Sequence, residues 1–156
     1  MVNNKKKKDD KIFKKTEAKL YNYNQLKTDI ANLELDNEIL DIETSEKFDT
    51  VKGINYSREK VFSSCSTASE VEALVIDHEA IKNRMIRNKK EISIKTRQIK
   101  IIDNALNSLN EVDKKIVELR YFKKETWHGV SKKVGYSISS CKKRRISIIK
   151  SLGKLI

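Results

Sequence analysis

The chain of 156 residues contains no proline and only four glycines. This composition disfavours β-sandwiches and barrels, whose many tight turns depend on these two residue types. No apolar run approaches the ~18 consecutive residues that a membrane-spanning helix requires. No apolar segment follows the basic N-terminus as it would in a signal peptide. We therefore predict an all-α protein, without a membrane partner, in the cytoplasm.

Cysteine and the common catalytic patterns are also scarce. Cys65 and Cys141 lie far apart without neighbouring metal ligands, so we expect reduced thiols. His78 has no second ligand at helical spacing. The sequence shows no clustered carboxylates, no CxxC or HxH pair, no glycine-rich phosphate loop and no nucleophile–base set. We therefore expect a protein that is not an enzyme and binds neither metal nor cofactor.

Positive charge is concentrated towards the two ends of the chain. The formal net charge is +12; residues 1–19 hold eight lysines and three acids, and residues 110–156 hold 13 basic and four acidic residues. A field of one sign attracts a polyanion and releases its counterions. This pattern favours nucleic acid as the partner of the C-terminal region. We interpret residues 1–15 as a disordered basic tail that adds nonspecific phosphate contacts.

Residues 16–109 predict a long helical hairpin or coiled coil, because apolar residues recur at alternating spacings of three and four. The first series is Tyr23, Leu26, Ile30, Leu33, Asn37 and Leu40; the second is Val71, Leu74, His78, Ile81, Met85, Asn88, Ile92, Lys95, Ile99, Ile102, Leu106 and Leu109. Residues 46–68 are rich in serine and have little periodicity, so we predict a loop there. Two arrangements fit this pattern: an antiparallel hairpin within one chain, or a homodimer through residues 71–109.

Residues 110–156 predict three short helices arranged as a helix-turn-helix domain. Val112, Ile116, Leu119 and Phe122 mark the apolar face of the first helix. Thr126 is a suitable N-cap for the second helix, which buries Trp127, Val130 and Val134 and ends at Gly135. Ser137 caps the third helix, which runs from Ile138 to about Leu152.

The third predicted helix has two contrasting faces. One face is apolar and consists of Cys141, Ile148, Ile149 and Leu152, whereas the other combines lysines with hydroxyl groups. A recognition helix of this kind directs its first residues to base edges and later ones to phosphates. The predicted DNA-binding residues are Lys124, Thr126, Ser137, Ser139, Ser140, Lys142, Lys143, Arg144 and Ser147, with Lys143 or Arg144 as the partner of a guanine. Arg145 lies near the apolar face, and we expect it to extend past Trp127 to a phosphate.

Residues 106–152 resemble region 4 of bacterial sigma-70-type factors. They are still more similar to the C-terminus of small phage regulators of the ArpU, RinA and LtrC type, from phages of low-GC Gram-positive bacteria. The resemblance lies in Leu119, Arg120, Tyr121, Phe122, Thr126, Trp127, Val130, Ser131, Gly135, Tyr136 and Ser137. Cys141 and Arg145 depart from the family pattern. Two long N-terminal helices around a polar loop also fit this group.

The resemblance implies a transcriptional regulator that controls late phage genes by binding a promoter. Our hypothesis for the mechanism is activation by recruitment of host RNA polymerase. The resemblance also implies a place in the host cytoplasm, associated with the nucleoid. We see no counterpart of sigma region 2, so promoter opening by this chain alone is not expected. Two other functions remain open. A small terminase subunit also joins a helix-turn-helix to oligomerising helices and usually forms rings, and a protein that only binds host polymerase or a sigma factor would not need the basic helix.

Overall fold

The computed structural model describes residues 2–52 and 66–156. These residues form six α-helices and one π-helical turn without any strand: α1 (Val2–Tyr21), α2 (Tyr23–Lys52), α3 (Ser66–Asn107), α4 (Glu111–Val117), the π-helical turn (Glu118–Phe122), α5 (Trp127–Val134) and α6 (Ile138–Leu152). The predicted all-α class is confirmed. None of the helices in the described ranges is long and apolar enough to cross a membrane.

The chain divides into two compact units. The first comprises Met1–Thr28 together with Lys95–Ile156, and the second comprises Asp29–Ile94. The predicted boundaries at residues 16 and 110 do not coincide with these units. The difference arises because α1 packs against α6 and the π-helical turn, so the N-terminal segment belongs to the same unit as the C-terminal helices.

The predicted disordered tail over residues 1–15 is wrong for residues 2–15, which belong to α1. Ile12, Thr16 and Leu20 are spaced by four and therefore lie along one face of the helix. Thr16 and Leu20 are buried, and Phe13 packs against the core of the first unit. This narrow apolar face holds α1 in place, although lysines dominate the composition of its first half.

A glycine at the end of α6 allows α1 to come close. A Cβ atom on Gly153 would lie 3.0 Å from Ile12 Cγ2 and 3.0 Å from Thr16 Oγ1. These distances are tighter than normal van der Waals contact, so a larger residue would push the two helices apart.

Arg145 also joins α6 to α1, contrary to the expectation that it reaches a phosphate past Trp127. Its Nε donates to Glu17 Oε1 at 2.7 Å, and its guanidinium carbon lies 5.3 Å from the centre of the Phe13 ring. This contact could not be predicted from local sequence, because its carboxylate lies in the segment next to the predicted tail.

The core of the first unit is formed by the C-terminal helices with α1 and the adjoining ends of α2 and α3. The four residues predicted for the apolar face of α6 are all buried: Cys141, Ile148, Ile149 and Leu152. On α5 the predicted inward residues also lie in this core, with Val130 fully buried and Trp127 and Val134 partly buried. These predictions from helical spacing are confirmed.

The first C-terminal helix departs from regular α geometry at its end. A π-helical turn over Glu118–Phe122 brings Tyr121 into the core, where it is 1% exposed. A widened turn leaves backbone carbonyls in need of other partners. Asn24 Nδ2 donates to the Phe122 carbonyl at 2.8 Å, and the Tyr23 ring stacks on the Phe122 ring with centroids 4.3 Å apart.

The second unit consists of α2 and α3 paired as a hairpin. Asn88 Nδ2 donates to Asn37 Oδ1 at 3.0 Å and to Asp36 Oδ2 at 2.7 Å, while Arg84 forms a salt bridge with Asp36 at 2.6 Å. Asn37 and Asn88 are polar members of the two predicted heptad series. The series therefore face each other within one chain, and the hairpin is confirmed.

The loop predicted over residues 46–68 covers too many residues at both of its ends. Helix α2 continues to Lys52 and α3 begins at Ser66. Because no glycine or proline precedes Gly53, nothing in the local sequence ends α2 earlier. Residues 53–65, with Cys65, lie outside the described residues, and so do the side chains of Val71 and Leu74.

Candidate nucleic-acid interface

The ends of α5 and the start of α6 are set by three residues whose roles follow from the local sequence. Thr126 caps α5, since its side-chain oxygen accepts a hydrogen bond from the Gly129 amide at 3.2 Å. Gly135 ends α5 in the left-handed region at φ 79°, where a glycine avoids the strain of a Cβ atom. Ser137 then caps α6 by accepting from the Ser140 amide at 3.2 Å. All three predicted roles are confirmed.

Ser131 tightens this connection. It is half-buried, and its hydroxyl donates to the Tyr136 carbonyl at 2.5 Å. The serine side chain is small enough for this close approach, and a larger residue would push α5 away from the turn. The turn is therefore fixed at both of its ends.

Helix α6 is held on one side by the core and on its flank by an ion pair. Arg144 Nε lies 2.8 Å from Asp113 Oδ1 of α4, and its guanidinium carbon lies 5.4 Å from the centre of the Tyr136 ring. The hydrogen bond that Arg144 donates to Asp113 raises the pKa of Arg144 above its ordinary value. Arg144 was predicted as a candidate for pairing with guanine, but in the free protein its guanidinium is engaged within the domain.

The outward face of α6 is basic and hydroxylated. Ser139, Lys143 and Ser147 are exposed and spaced by four, and Lys142 and Lys150 are exposed on the same helix. Within the described parts of the chain, these three lysines take part in no salt bridge. Lys133 of α5, in contrast, is bound to Glu125. The lysines of α6 are therefore available to an external anion.

Three serines form a cluster where α6 begins. The Ser137 hydroxyl lies 2.9 Å from the Ser140 hydroxyl and 3.0 Å from that of Ser139. Ser140 is half-buried, whereas Ser137 and Ser139 are exposed. Ser137 and Ser140 thus stabilise the helix start, and Ser139 is the member of the cluster that lies on the outward stripe.

The remaining two predicted residues lie before α5. Lys124 is exposed and has φ 55°, the left-handed conformation, and Thr126 is exposed at the cap. The predicted DNA-binding residues therefore fall into two groups, one along α6 and one at the start of α5.

Ile146 was not among the predicted site residues. It follows Ser139 by seven residues, which places it on the outward face, and it is 46% exposed. The signal that could have identified it is the position of an isoleucine among the lysines and serines of the outward face. In a major groove, an apolar side chain of this kind contacts the methyl group of thymine.

The described residues include no group of three or more His, Cys, Asp or Glu side chains arranged for a metal ion. Cys141 is free and fully buried. Around α6, exposed lysines and hydroxyl groups present hydrogen-bond donors on a helix whose other side is buried.

Comparison with known protein families gives one match that covers both units. The chain belongs to the family described as "Protein of unknown function (DUF722)", which matches residues 8–154. Searches of curated proteins and of solved structures found no match. The family match takes in α1 from its first turns onward, in agreement with the packing of α1 against the C-terminal helices.

Proposed function

We propose that this member of the DUF722 family is a sequence-specific regulator of transcription that binds double-stranded DNA by inserting α6 into the major groove. The observation that carries the proposal is the contrast between the two sides of α6. Cys141, Ile149 and Leu152 are fully buried, whereas Ser139, Lys143 and Ser147 are exposed. A helix fixed by its buried side holds its outward side chains in one geometry, as base reading requires.

The dimensions and the charge both suit this role. The major groove of B-DNA is about 12 Å wide and admits an α-helix. Residues 110–156 carry 13 basic and four acidic residues, a net of +9 that attracts the phosphate backbone. Lys142 lies on the flank of the outward stripe and contacts phosphate in this proposal, while Lys143 lies within the stripe and donates to guanine O6 or N7.

Arg144 has a different role in this proposal. Since its guanidinium is bound to Asp113 at 2.8 Å, it fixes the orientation of α6 relative to α4. It is therefore a positioning residue, and Lys143 is the residue that reads a base.

The resemblance to regulators of the ArpU, RinA and LtrC type supports transcription as the process. In that case the chain binds a promoter in a bacterial host cytoplasm and activates late phage genes by recruiting RNA polymerase. The alternative process is DNA packaging, in which a terminase-like assembly of this chain marks the phage DNA. The two processes differ in the position of the bound sites and in the number of subunits.

Footprinting of the purified full chain across the DNA that encodes it, at near-physiological salt, tests this proposal. We expect a discrete footprint upstream of a late operon, and its loss in Lys142→Ala/Lys143→Ala. The control is Lys14→Ala/Lys15→Ala, which removes two charges from adjacent exposed lysines of α1 and should keep the footprint.

Other outcomes of this experiment are equally informative. Binding everywhere, with steep salt dependence and no footprint, would mean that α6 recognises only phosphate, and the proposal would fail. A footprint within the packaging genes, together with a ring-sized assembly, would favour the terminase-like function.

A further inference from the structure

The second unit has an apolar stripe on the outer side of α2. Leu35, Ile39 and Ile42 are 57%, 55% and 58% exposed. Their spacing of four and three places them along one side of the helix, opposite the series that faces α3. Thus α2 buries one apolar side within the hairpin and leaves another uncovered.

Helix α3 repeats this arrangement. Ile86 and Ile94 are 55% and 51% exposed, and they lie on the side of the helix opposite Asn88 and Ile92. Ile76 lies on the same outer side and is 61% exposed. Exposed apolar patches that extend over several turns and are rimmed by polar residues mark sites of protein association.

The charges around the two outer stripes are opposite. Residues 29–45 of α2 contain six acids and no basic residue, whereas residues 82–94 of α3 contain five basic residues and one acid. Glu34 and Glu38 are exposed near the α2 stripe, and Arg87 and Lys90 are exposed near the α3 stripe. In the part of the chain that the structure describes, none of these four side chains forms a salt bridge.

We propose that a second copy of this chain covers an outer stripe, with the α2 stripe of one copy packed against the α3 stripe of the other. Because the two stripes of one hairpin face in opposite directions, this contact is heterologous, and the stripes left uncovered on the dimer bind further copies in the same way. Each contact joins apolar side chains and places an acidic helix beside a basic one. Pairing of α2 with α2, or of α3 with α3, is disfavoured because it brings like charges together.

This inference does not depend on DNA binding, because self-association is measured on the protein alone. Sedimentation equilibrium of the full chain, whose mass is 18.1 kDa, should give a dimer at micromolar concentration and near-physiological salt, and larger assemblies as the concentration rises. A chain that stays monomeric at every concentration would overturn the proposal and assign the stripes to a different protein.

Charge reversal on one helix at a time tests the pairing itself. The basic variant, Glu34→Lys/Glu38→Lys, places two lysines beside the α2 stripe, and the acidic variant, Arg87→Glu/Lys90→Glu, places two glutamates beside the α3 stripe. Each should self-associate with a dissociation constant raised roughly tenfold or more. An equimolar mixture should restore the dimer, since every contact in the mixed dimer again joins opposite charges.

The control for the basic variant is Asp9→Lys/Asp10→Lys, which reverses two exposed acids of α1 and should leave the dimer unchanged. Circular dichroism of each variant checks that its helices are retained. A mixture that remains monomeric, or single variants that dimerise as well as the wild type, would overturn the pairing of α2 with α3.

A second pair of substitutions tests the apolar component. Leu35→Gln/Ile39→Gln removes apolar surface from the α2 stripe while keeping residues compatible with a helix. We expect it to be monomeric where the wild type is dimeric. An unchanged dissociation constant would overturn the proposal, because the stripe would then lie outside the contact.

Discussion

At the scale of single residues, the carboxylate of Glu17 connects α1 with two distant parts of the chain. It accepts hydrogen bonds from the Tyr121 hydroxyl and from Arg145 Nε. Burial, and then the hydrogen bond to Glu17, raise the pKa of Tyr121 well above its usual range. Burial lowers the pKa of Arg145, but its hydrogen bonds to Tyr121 and Glu17 outweigh this effect. Tyr121 therefore stays protonated and Arg145 stays charged.

This arrangement predicts how stability changes in alkaline solution. Tyr121 releases its proton near pH 10 in the unfolded chain but retains it in the folded protein. Its contribution to the free energy of unfolding is fully present below pH 10 and is lost as the pH rises above that value. Tyr121→Phe should cost about 1 kcal/mol at neutral pH, and the difference from wild type should shrink between about pH 9 and pH 11.

Urea unfolding of wild type and Tyr121→Phe across this range gives the measurement. Tyr136→Phe is the control, since Tyr136 is 42% exposed and should give curves parallel to those of the wild type. Parallel curves for Tyr121→Phe as well would show that Tyr121 has no raised pKa.

The residues that could be predicted from the sequence are those governed by local rules. Thr126, Gly135 and Ser137 were found because capping depends on neighbours within three residues. Glu17 and Arg145 were missed because their contact joins residues 128 positions apart, and no local rule connects such a pair. Arg144 was placed on the correct helix, but its partner Asp113 lies on another.

At the scale of helices, the pattern of apolar residues predicted the inner side of the hairpin well. The 3–4 spacing placed Asn37 and Asn88 in the two series, and the structure joins them at 3.0 Å. Spacing alone left open whether the two series meet within one chain or between copies. The outer stripes of α2 and α3 were overlooked because their apolar residues are interspersed with charged ones.

The polar contact in the hairpin gives a test at this scale. Asn88 is 8% exposed, and it is the donor to both Asn37 and Asp36. Asn88→Ala should lower the free energy of unfolding by roughly 1 kcal/mol, because two half-buried acceptors lose a donor. Asn83→Ala, at an exposed position of the same helix, should change it by less than about 0.5 kcal/mol. Equal effects of the two substitutions in urea unfolding would contradict the assigned role of Asn88.

At the scale of the whole molecule, the C-terminal helices and the hairpin carry different patterns of charge. The C-terminal helices carry a surplus of positive charge that suits a polyanion, whereas the hairpin carries opposite charges on its two helices that suit a copy of itself. If α6 binds DNA as proposed, self-association brings two copies of α6 to one DNA. The two bound sites should then be separated by about one helical turn, near 10 base pairs, or by a multiple of it.

The salt dependence of DNA binding distinguishes phosphate contacts from base contacts in this scheme. Each phosphate contact contributes about −0.9 to the slope of log K against log salt concentration. Lys142→Ala should therefore reduce the magnitude of the slope by about one for each bound copy, and it should weaken binding to all sequences alike. If Lys143 donates to a guanine as proposed, Lys143→Ala should instead relax the preference at one base pair.

Titration of duplexes that contain the footprinted site, and of duplexes with single base changes, measures both quantities. The single substitution Lys100→Ala removes one exposed lysine of α3 and should alter neither the slope nor the preference. If Lys142→Ala and Lys143→Ala gave the same change in slope with no change in preference, both lysines would contact phosphate. Base reading would then have to come from Ser139, Ile146 or Ser147 on the same outward face.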